Sequence, residues 1–532
     1  MSSGPVAAPG SLIERPVVRR RQARPAPVIL WVVATLALAP AVVPFAFLIG
    51  RAVAGGSKAF DTVFSDRTAE LILNTASLVV AVSLTAAVVG VAAAWVTERT
   101  DLPGRRAWRV IVALPLVLPS YVIALTVISA LGPRGLLADA VGLGLPTVRG
   151  FVGAWWSLSV ATYPFVYLIV GSALRRIDPA VEEAARGLGS APRTVFWRIV
   201  VPQLREAIGA GVLLSALYSL SDFGAVSLVG FDSFTRVVYA QYAGRLDRTP
   251  ATVLAVVLVL LAVVVVLVES RLRRGRPFVP RPISRPTRAM GLTQAQRAAA
   301  TAGLSVLGLL ALALPLGTLL AWVGRNPAPD GIPWSSLAGS VSASLLAAAA
   351  AVVLAVPTAV LVVRHGSAAT RWVERTAYLT YSIPHITVGL AVVFVASRYL
   401  GPLYQSMWVL VGVYTAVFFA LALGALASAL SQVSPSIEEA SRGLGRGAWQ
   451  TLLRITIPLV WRGIAAGGLL VFLTTMKELP ITLLARPTGF DTLAIDVWSA
   501  AGELLYSTAA VPALLLLLVS ALPTYVLATR QR

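Results

Sequence analysis

The sequence contains no cysteine and only two histidines. Without cysteine there are no disulfide bonds and no thiolate metal sites, and His365 and His385 are too far apart to predict an imidazole site. The chain also lacks the G-x-x-x-x-G-K-[ST] loop that cradles nucleotide phosphates and the H-E-x-x-H motif of zinc hydrolases. No nucleophile–histidine set is evident. We therefore expect no enzyme activity, no metal site and no bound cofactor in this chain.

Charged residues are scarce as well, at 13% of the chain, whereas soluble domains average about 25%. Hydrophobic residues make up 57% of the chain and the mean hydropathy is +0.81. The hydrophobic runs are long enough for an α-helix to cross the hydrocarbon core of a bilayer. The composition thus predicts an all-α polytopic membrane protein.

Hydrophobic runs place about twelve transmembrane helices along the chain. They are predicted at residues 28–49, 71–97, 110–131, 150–174, 206–229, 250–270, 298–323, 337–363, 376–397, 407–430, 463–484 and 507–529.

The net charge of +21 comes almost entirely from arginine, because Lys58 and Lys477 are the only lysines. With both termini inside, the predicted cytoplasmic segments carry about three times as many basic residues as the outer segments. This bias predicts a multi-pass protein of the bacterial inner membrane with both termini in the cytoplasm. It also explains the charge better than nucleic-acid binding does, so we expect no nucleic-acid partner.

An Arg- and Pro-rich stretch at 271–297 separates two halves of six spans each, and we interpret it as a cytoplasmic linker. Residues 1–27 form a basic N-terminal tail, 28–270 the first half and 298–532 the second half. Because six is an even number, both halves enter the membrane in the same orientation. A solute would then be expected to cross at the interface between the halves.

The clearest internal repeat is a polar loop that occurs once in each half. Residues 182–202 read EEAARGLGSAPRTVFWRIVVP, and residues 438–458, 256 positions later, read EEASRGLGRGAWQTLLRITIP. Asp178-Pro179 and Ser434-Pro435 precede the loops as helix-start signals. The paired glutamates suit the positive end of a helix dipole, and the glycines break the helix and permit close approach of another backbone. Each loop therefore predicts a short helix–turn–helix between two spans.

This pattern of E-A-A, three residues, G, nine residues and I-x-x-P resembles the signature of inner-membrane permeases of binding-protein-dependent ABC importers. Both halves resemble the type I permease unit, with cores at about 70–270 and 337–528. The resemblance implies that each loop is a coupling helix that docks on a cytoplasmic ATPase subunit. The second copy departs from the signature only at Ser441, a small residue that should not disturb packing. The residues carried over are Glu182, Glu183, Ala184, Ala185, Gly187, Gly189, Ile199, Pro202, Glu438, Glu439, Ala440, Ser441, Gly443, Gly445, Ile455 and Pro458.

The resemblance further implies the partners of the chain. It would bind two copies of an ABC ATPase, which carries the Mg-ATP, and receive solute from an extracytoplasmic binding protein. The segments 476–487 and 489–494, with 221–228 in the first half, look like fused ferric-iron permeases. Ferric iron is therefore the expected solute. Thiamine, polyamine or phosphonate importers of the same architecture remain alternatives, as does an ion-coupled secondary transporter, which would not need paired docking loops.

Three ionisable residues lie in or beside otherwise apolar spans: Asp222, Lys477 and Glu478. Charge inside a membrane is costly, so such residues usually face a bundle interior or an aqueous route. One interpretation places them on the translocation path, where carboxylates from both halves could meet a hard cation or form an outer gate. The other makes them helix caps, with Lys477 as a countercharge. For His385, which follows Pro384, we expect a packing role.

Overall fold

A computed structural model of the chain describes residues 26–132, 135–136, 142, 148–177, 179–272, 290–325 and 331–530. Within these ranges the regular structure is helical, apart from one isolated bridge between Thr100 and Met290. The predicted tail, most of the predicted linker and Asp178 lie outside the described residues.

The first half is built from a series of long helices with short ones between them. Its helices are Val28–Ala54, Gly56–Val63, Asp66–Arg99, Arg105–Ala113, Ser120–Leu131, Gly150–Arg176, Pro179–Gly187, Pro192–Val195, Val201–Ser221, Gly224–Leu228, Phe234–Gly244 and Thr249–Leu272, with a 3-10 turn at Leu114–Val117 and a π turn at Phe196–Val200.

The second half repeats this order. Its helices are Gln294–Gly308, Leu314–Arg325, Trp334–Arg364, Ala368–Ser382, His385–Tyr399, Met407–Ser431, Pro435–Gly443, Ala448–Thr451, Ile457–Met476, Pro480–Ala485, Leu493–Gly502 and Tyr506–Arg530, with π turns at Leu309–Ala313 and Leu452–Thr456 and a 3-10 turn at Gly401–Leu403.

The helices agree with a polytopic membrane protein. In the described part of the chain, nine helices are long and apolar enough to cross a bilayer, or eleven when two bent pairs each count as one span. The twelfth predicted span falls on Tyr506–Arg530, whose apolar stretch Tyr506–Ala521 is shorter than the others. The all-α fold class is confirmed, and the orientation of the termini stays a prediction.

Two predicted spans are wrong as continuous helices. The predicted span 110–131 bends by 96° before Ser120, and the predicted span 376–397 bends by 101° before His385. Pro119 and Pro384 stand at these bends, and the residue before each is extended. A proline disfavours helical geometry in the preceding residue and removes a backbone donor, so the helix restarts there in a new direction.

Two other predicted spans, 206–229 and 463–484, are also interrupted. The long helices end at Ser221 and Met476, and the short helices Gly224–Leu228 and Pro480–Ala485 follow after a break. Each half thus has two broken helices, and the four breaks position the polar residues of the site.

The first span of each half packs against the opposite half. Val28–Ala54 lies against Trp334–Arg364, His385–Tyr399 and Met407–Ser431 of the second half, and the ring centroids of Phe47 and Tyr399 are 5.7 Å apart. In return, the helix that begins at Gln294 lies against Arg105–Ala113 and Ser120–Leu131 of the first half. The halves are therefore interlocked by an exchange of their first spans.

The end of the linker is fixed to the first half. The N–H of Met290 donates to the carbonyl of Arg99 at 2.8 Å, and the carboxylate of Asp101 accepts the N–H of Leu292 at 2.9 Å and an ion pair from Arg297. The hydrogen bond from Leu292, followed by that from Arg297, lowers the pKa of Asp101 below its ordinary value. The linker therefore joins the bundle next to the base of the helix Asp66–Arg99.

Candidate functional site

The repeated loops fold as two matching helical hairpins. The predicted coupling helices are Pro179–Gly187 and Pro435–Gly443, and the hydroxyl of Ser434 accepts the N–H of Ser436 at 3.4 Å as the predicted cap of the second. At the other end, the N–H of Ser190 donates to Ala185 and that of Arg446 to Ser441, the pattern of a Schellman turn. This turn needs a left-handed residue, which explains the glycines at 189 and 445, where φ is +83° and +84°.

The tips of these hairpins expose apolar side chains. Leu188 is 88% exposed and Leu444 is 84% exposed, each directly before the left-handed glycine. A Cβ built at any of the four hairpin glycines, Gly187, Gly189, Gly443 or Gly445, would have no atom of the described residues within 4 Å. The close backbone approach expected at the glycines is therefore not made by the described part of the chain.

A buried ion pair holds each coupling helix to the end of a long span. Nη2 of Arg99 lies 3.0 Å from Oε1 of Glu182, and Nη2 of Arg364 lies 3.1 Å from Oε1 of Glu438. The two side chains are 4% and 5% exposed in the first pair and 12% and 9% in the second. The first glutamate of each loop is thus used inside the chain, while Glu183 and Glu439 remain exposed.

Ser441, the residue at which the second loop differs from the signature, has a hydrogen-bond partner. Its hydroxyl lies 3.0 Å from that of Thr451, and both side chains are buried. The first half has Ala185 and Val195 at the corresponding positions. The hydroxyl pair of the second half therefore corresponds to an apolar pair of similar volume in the first half. The expectation that Ser441 leaves packing undisturbed is consistent with this exchange.

The I-x-x-P part of the signature forms a π turn. The π turns Phe196–Val200 and Leu452–Thr456 contain Ile199 and Ile455, and each turn leads into a long helix with Pro202 or Pro458 in its first turn. Because proline has no N–H and its ring crowds the carbonyl four residues earlier, the helix widens locally instead of ending. Each hairpin is therefore continuous with the helix that leads to the broken centre of the molecule.

At the centre, Asp222 and Glu478 cap the short helices. Oδ1 of Asp222 accepts the N–H groups of Ala225 and Val226 at 3.0 and 3.4 Å, and its other oxygen accepts the hydroxyl of Ser120. Oε1 of Glu478 accepts the N–H of Ile481 at 3.0 Å. The capping interpretation fits these contacts, and in the described residues no group of three or more histidine, cysteine or acidic side chains could hold a metal ion.

His385 packs against the rings of Tyr381 and Phe418, as expected, but it also has a polar partner that the sequence did not predict. Its Nδ1 lies 2.8 Å from Oε2 of Glu478, so it does more than pack. Ser120 occupies the same place after Pro119 in the first half, where it meets Asp222. The internal repeat carried this signal, because Ser120 and His385 each directly follow the proline at which a predicted span breaks.

Lys477 does not serve as the countercharge of Glu478. Its Nζ donates to the carbonyl of Leu116, in the first half, at 3.1 Å. Close by, a Cβ at Gly224 would lie 2.8 Å from Cβ of Tyr121 and 3.2 Å from Cδ2 of Leu479. We call this contact surface, where residues 116–121 and Gly224 meet residues 477–479, the central seam.

Comparison with known proteins places both halves in one family. Residues 86–275 and 350–531 each match the family described as binding-protein-dependent transport system inner membrane component. The two matches include both coupling hairpins and both sides of the central seam.

Several relatives resemble the chain over different lengths. The Fe(3+)-transport system permease protein FbpB 2 of Haemophilus influenzae is 30% identical over 92% of this chain and 95% of its own length. The sulfate transport system permease protein CysW of Synechocystis is 31% identical over 35% of this chain and 70% of its own length. The putative 2-aminoethylphosphonate transport system permease protein PhnV of Salmonella typhimurium is 27% identical over 38% of this chain and 83% of its own length.

Proposed function

Because the chain belongs to the family of binding-protein-dependent transport system inner membrane components, we propose that it is the membrane-spanning subunit of an ATP-driven ABC importer. Two fused permease halves would form the whole translocation unit in one chain. An extracytoplasmic binding protein would deliver the solute, and a separate ATPase would hydrolyse Mg-ATP. The chain would lie in the inner membrane with both termini in the cytoplasm, as the arginine distribution indicates.

The observation that carries this proposal is the pair of exposed hairpin tips. A single exposed leucine is common on a protein surface, but here the same residue is exposed at the same place in both halves. Two matching tips fit two copies of one ATPase, because each copy would present the same recess. The buried pairs Arg99–Glu182 and Arg364–Glu438 would transmit force from these tips to the long spans.

Substitution of the two tips tests the docking. Leu188→Asp and Leu444→Asp place a charge in the proposed contact, so the double variant should lose at least 90% of the ATPase that co-purifies with the wild type. The matched control is Leu246→Asp, another fully exposed leucine, which lies in the loop between Phe234–Gly244 and Thr249–Leu272. The control should retain the ATPase, and retention by the double variant would contradict the docking assignment.

In this proposal, ATP-driven closure of the ATPase dimer brings the coupling helices together. The halves then rock as rigid bodies and open the central seam toward the binding protein. The interlocked first spans would keep the halves associated through this motion. No chemical step takes place in the chain itself.

Ferric iron is the proposed solute, because the ferric permease of Haemophilus influenzae aligns along 92% of the chain, whereas the sulfate and phosphonate permeases cover 35% and 38% of it. Proteoliposomes with the complete importer should accumulate ⁵⁵Fe when ATP and an iron-loaded binding protein are supplied. Uptake of labelled sulfate or 2-aminoethylphosphonate without iron uptake would overturn this choice of solute.

A further inference from the structure

We propose that the central seam contains an oxyanion subsite and that the solute crosses it as an anionic species. The inference rests on the proposed import function and specifies the form of its cargo. For iron, it means a ferric ion enclosed by carboxylate or phosphate ligands, in place of the bare cation. The groups that carry it are Lys477, Tyr121 and the N-terminus of the helix Ser120–Leu131.

The first argument is the ammonium of Lys477. Among the described residues, its polar contact is the carbonyl of Leu116, and no carboxylate forms an ion pair with it. A cation within a membrane bundle normally pairs with an acidic side chain or serves a polar route. Because the bond to Leu116 joins the two halves, it must break when the halves separate. The ammonium would then face the opening with its charge uncompensated.

The second argument is the hydroxyl of Tyr121. The residue is only 3% exposed, and within the described part of the chain its hydroxyl has no hydrogen-bond partner. Its side chain packs beside Gly224 and Leu479, and so lies in the central seam. A buried hydroxyl without a partner is a donor available to a passing acceptor. An oxyanion supplies such an acceptor.

The third argument is the direction of a broken helix. Ser120–Leu131 has twelve residues and begins directly after Pro119, in the central seam. The N-terminus of a helix carries partial positive charge and free N–H groups, which favour anions. Tyr121 lies in the first turn of this helix, and Leu116 lies in the turn before it. The helix end and the two side chains therefore favour the same sign of ligand charge.

Two carboxylates lie at the centre, and each is already engaged by groups of the chain. Asp222 accepts two backbone N–H groups and the hydroxyl of Ser120, and Glu478 accepts the N–H of Ile481 and faces His385. Their oxygens already hold the broken helices together. A bare ferric ion would have to displace these caps while it passed the ammonium of Lys477.

A double-label uptake experiment tests the proposal. Proteoliposomes with the complete importer receive binding protein loaded with ⁵⁵Fe and either ¹⁴C-citrate or ³³P-phosphate. We expect at least one labelled anion to enter with each iron, and the anion that does so identifies the ligand class. Entry of iron without either label would overturn the proposal.

Variants of the chain give a second, independent measurement. Lys477→Met should lower uptake at least tenfold, Lys477→Arg should retain most of it, and Tyr121→Phe should lower it about threefold. The control is Lys58→Met, at the other lysine of the chain, which is exposed and paired with Asp247, and it should not change uptake. Co-purification with the ATPase shows that each variant is folded. Wild-type uptake by Lys477→Met would contradict the subsite.

Failure of the ferric assignment can be separated from failure of the subsite. If the wild type takes up no iron with either anion, ferric iron is the wrong cargo. Labelled sulfate and 2-aminoethylphosphonate are then supplied alone. Uptake that depends on Lys477 would support the subsite, and uptake that does not depend on it would overturn it.

Discussion

At the scale of single residues, the side chains that matter most are those that the two halves share. The ion pair at the base of each coupling helix joins residues 83 or 74 positions apart in the chain, Arg99 with Glu182 and Arg364 with Glu438. The sequence indicated the glutamates as part of a repeated motif, but their partners could not be predicted. Arg99 and Arg364 are two of many arginines in the predicted cytoplasmic segments, and the positive-inside rule already accounts for arginines at such places.

Removal of one member of such a pair leaves a buried charge without compensation. Arg364→Met should therefore destabilise the protein by about 3–5 kcal/mol. The control Lys58→Met removes an exposed ion pair to Asp247 and should cost less than about 1 kcal/mol. Intrinsic tryptophan fluorescence during heating in detergent measures both. Equal unfolding temperatures for the two variants would show that the buried pair is not structural.

The hydroxyl pair of Ser441 and Thr451 allows a double-mutant cycle. Ser441→Ala or Thr451→Val alone leaves one buried hydroxyl without its partner and should cost about 1–2 kcal/mol. The double variant reproduces the apolar pair Ala185 and Val195 of the first half, and we expect it to be nearly neutral. Unfolding midpoints of the four proteins give the coupling energy. Strict additivity of the two single effects would contradict the pairing.

At the scale of elements, proline and glycine decide where the helices break. Pro119 and Pro384 lie inside predicted spans, and the helices break there with bends of 96° and 101°. The breaks after Ser221 and Met476 could not be read from hydropathy, because the short helices that follow are as apolar as the spans. Asp222 with Gly224 and Glu478 with Pro480 mark these two breaks in the sequence.

The two glycines of each coupling hairpin have different roles, which substitution can separate. Gly445→Ala puts a side chain on a left-handed residue and should cost about 1–2 kcal/mol. Gly443→Ala, inside the helix and with open space around it, should stabilise the chain alone by about 0.5–1 kcal/mol. Unfolding temperatures of the purified permease distinguish the two. A loss of stability with Gly443→Ala would show that its space is not open.

The π turn before each long helix lies in the I-x-x-P part of the signature. The sequence pattern alone did not show that this part forms a π turn. Pro458→Ala restores the missing N–H and should allow the helix to tighten to regular α geometry. This change would rotate the hairpin relative to Ile457–Met476 by about 100°, which is the rotation per residue of an α-helix. We expect ATP hydrolysis to continue while solute uptake per ATP falls at least fivefold. An unchanged ratio would mean that the π turn does not set the orientation of the hairpin.

At the scale of the whole molecule, the tandem repeat and the helical class were predictable because hydropathy and the two loops record them directly. The exchange of first spans could not be predicted, because the hydropathy of a span does not indicate which half it will contact. Phe47 against Tyr399 and Arg51 over the ring of Phe394 are contacts between distant parts of the sequence. They arise from packing that no local pattern encodes.

The exchange predicts that the halves associate without the linker. When residues 1–275 and 290–532 are expressed together as two chains, they should co-purify, because each first span holds the other half. Deletion of residues 1–54 from the first chain should reduce the recovered complex at least fivefold. The control deletes residues 1–14 alone, which keeps the arginines between Arg15 and Arg24, and should have no effect. Equal recovery with and without Val28–Ala54 would contradict the interlocking.

The same exchange imposes an order on biosynthesis. Val28–Ala54 leaves the ribosome early and meets Thr249–Leu272 of its own half, yet most of its packing partners begin only at Trp334. At a synthesis rate of about 5–20 residues per second, the helix waits roughly 15–60 s before those partners exist. During this interval only lipid or a membrane chaperone can cover the part of its packing face that later meets the second half. Newly made first halves are therefore the species in which a quality-control protease of the membrane would find this protein most vulnerable.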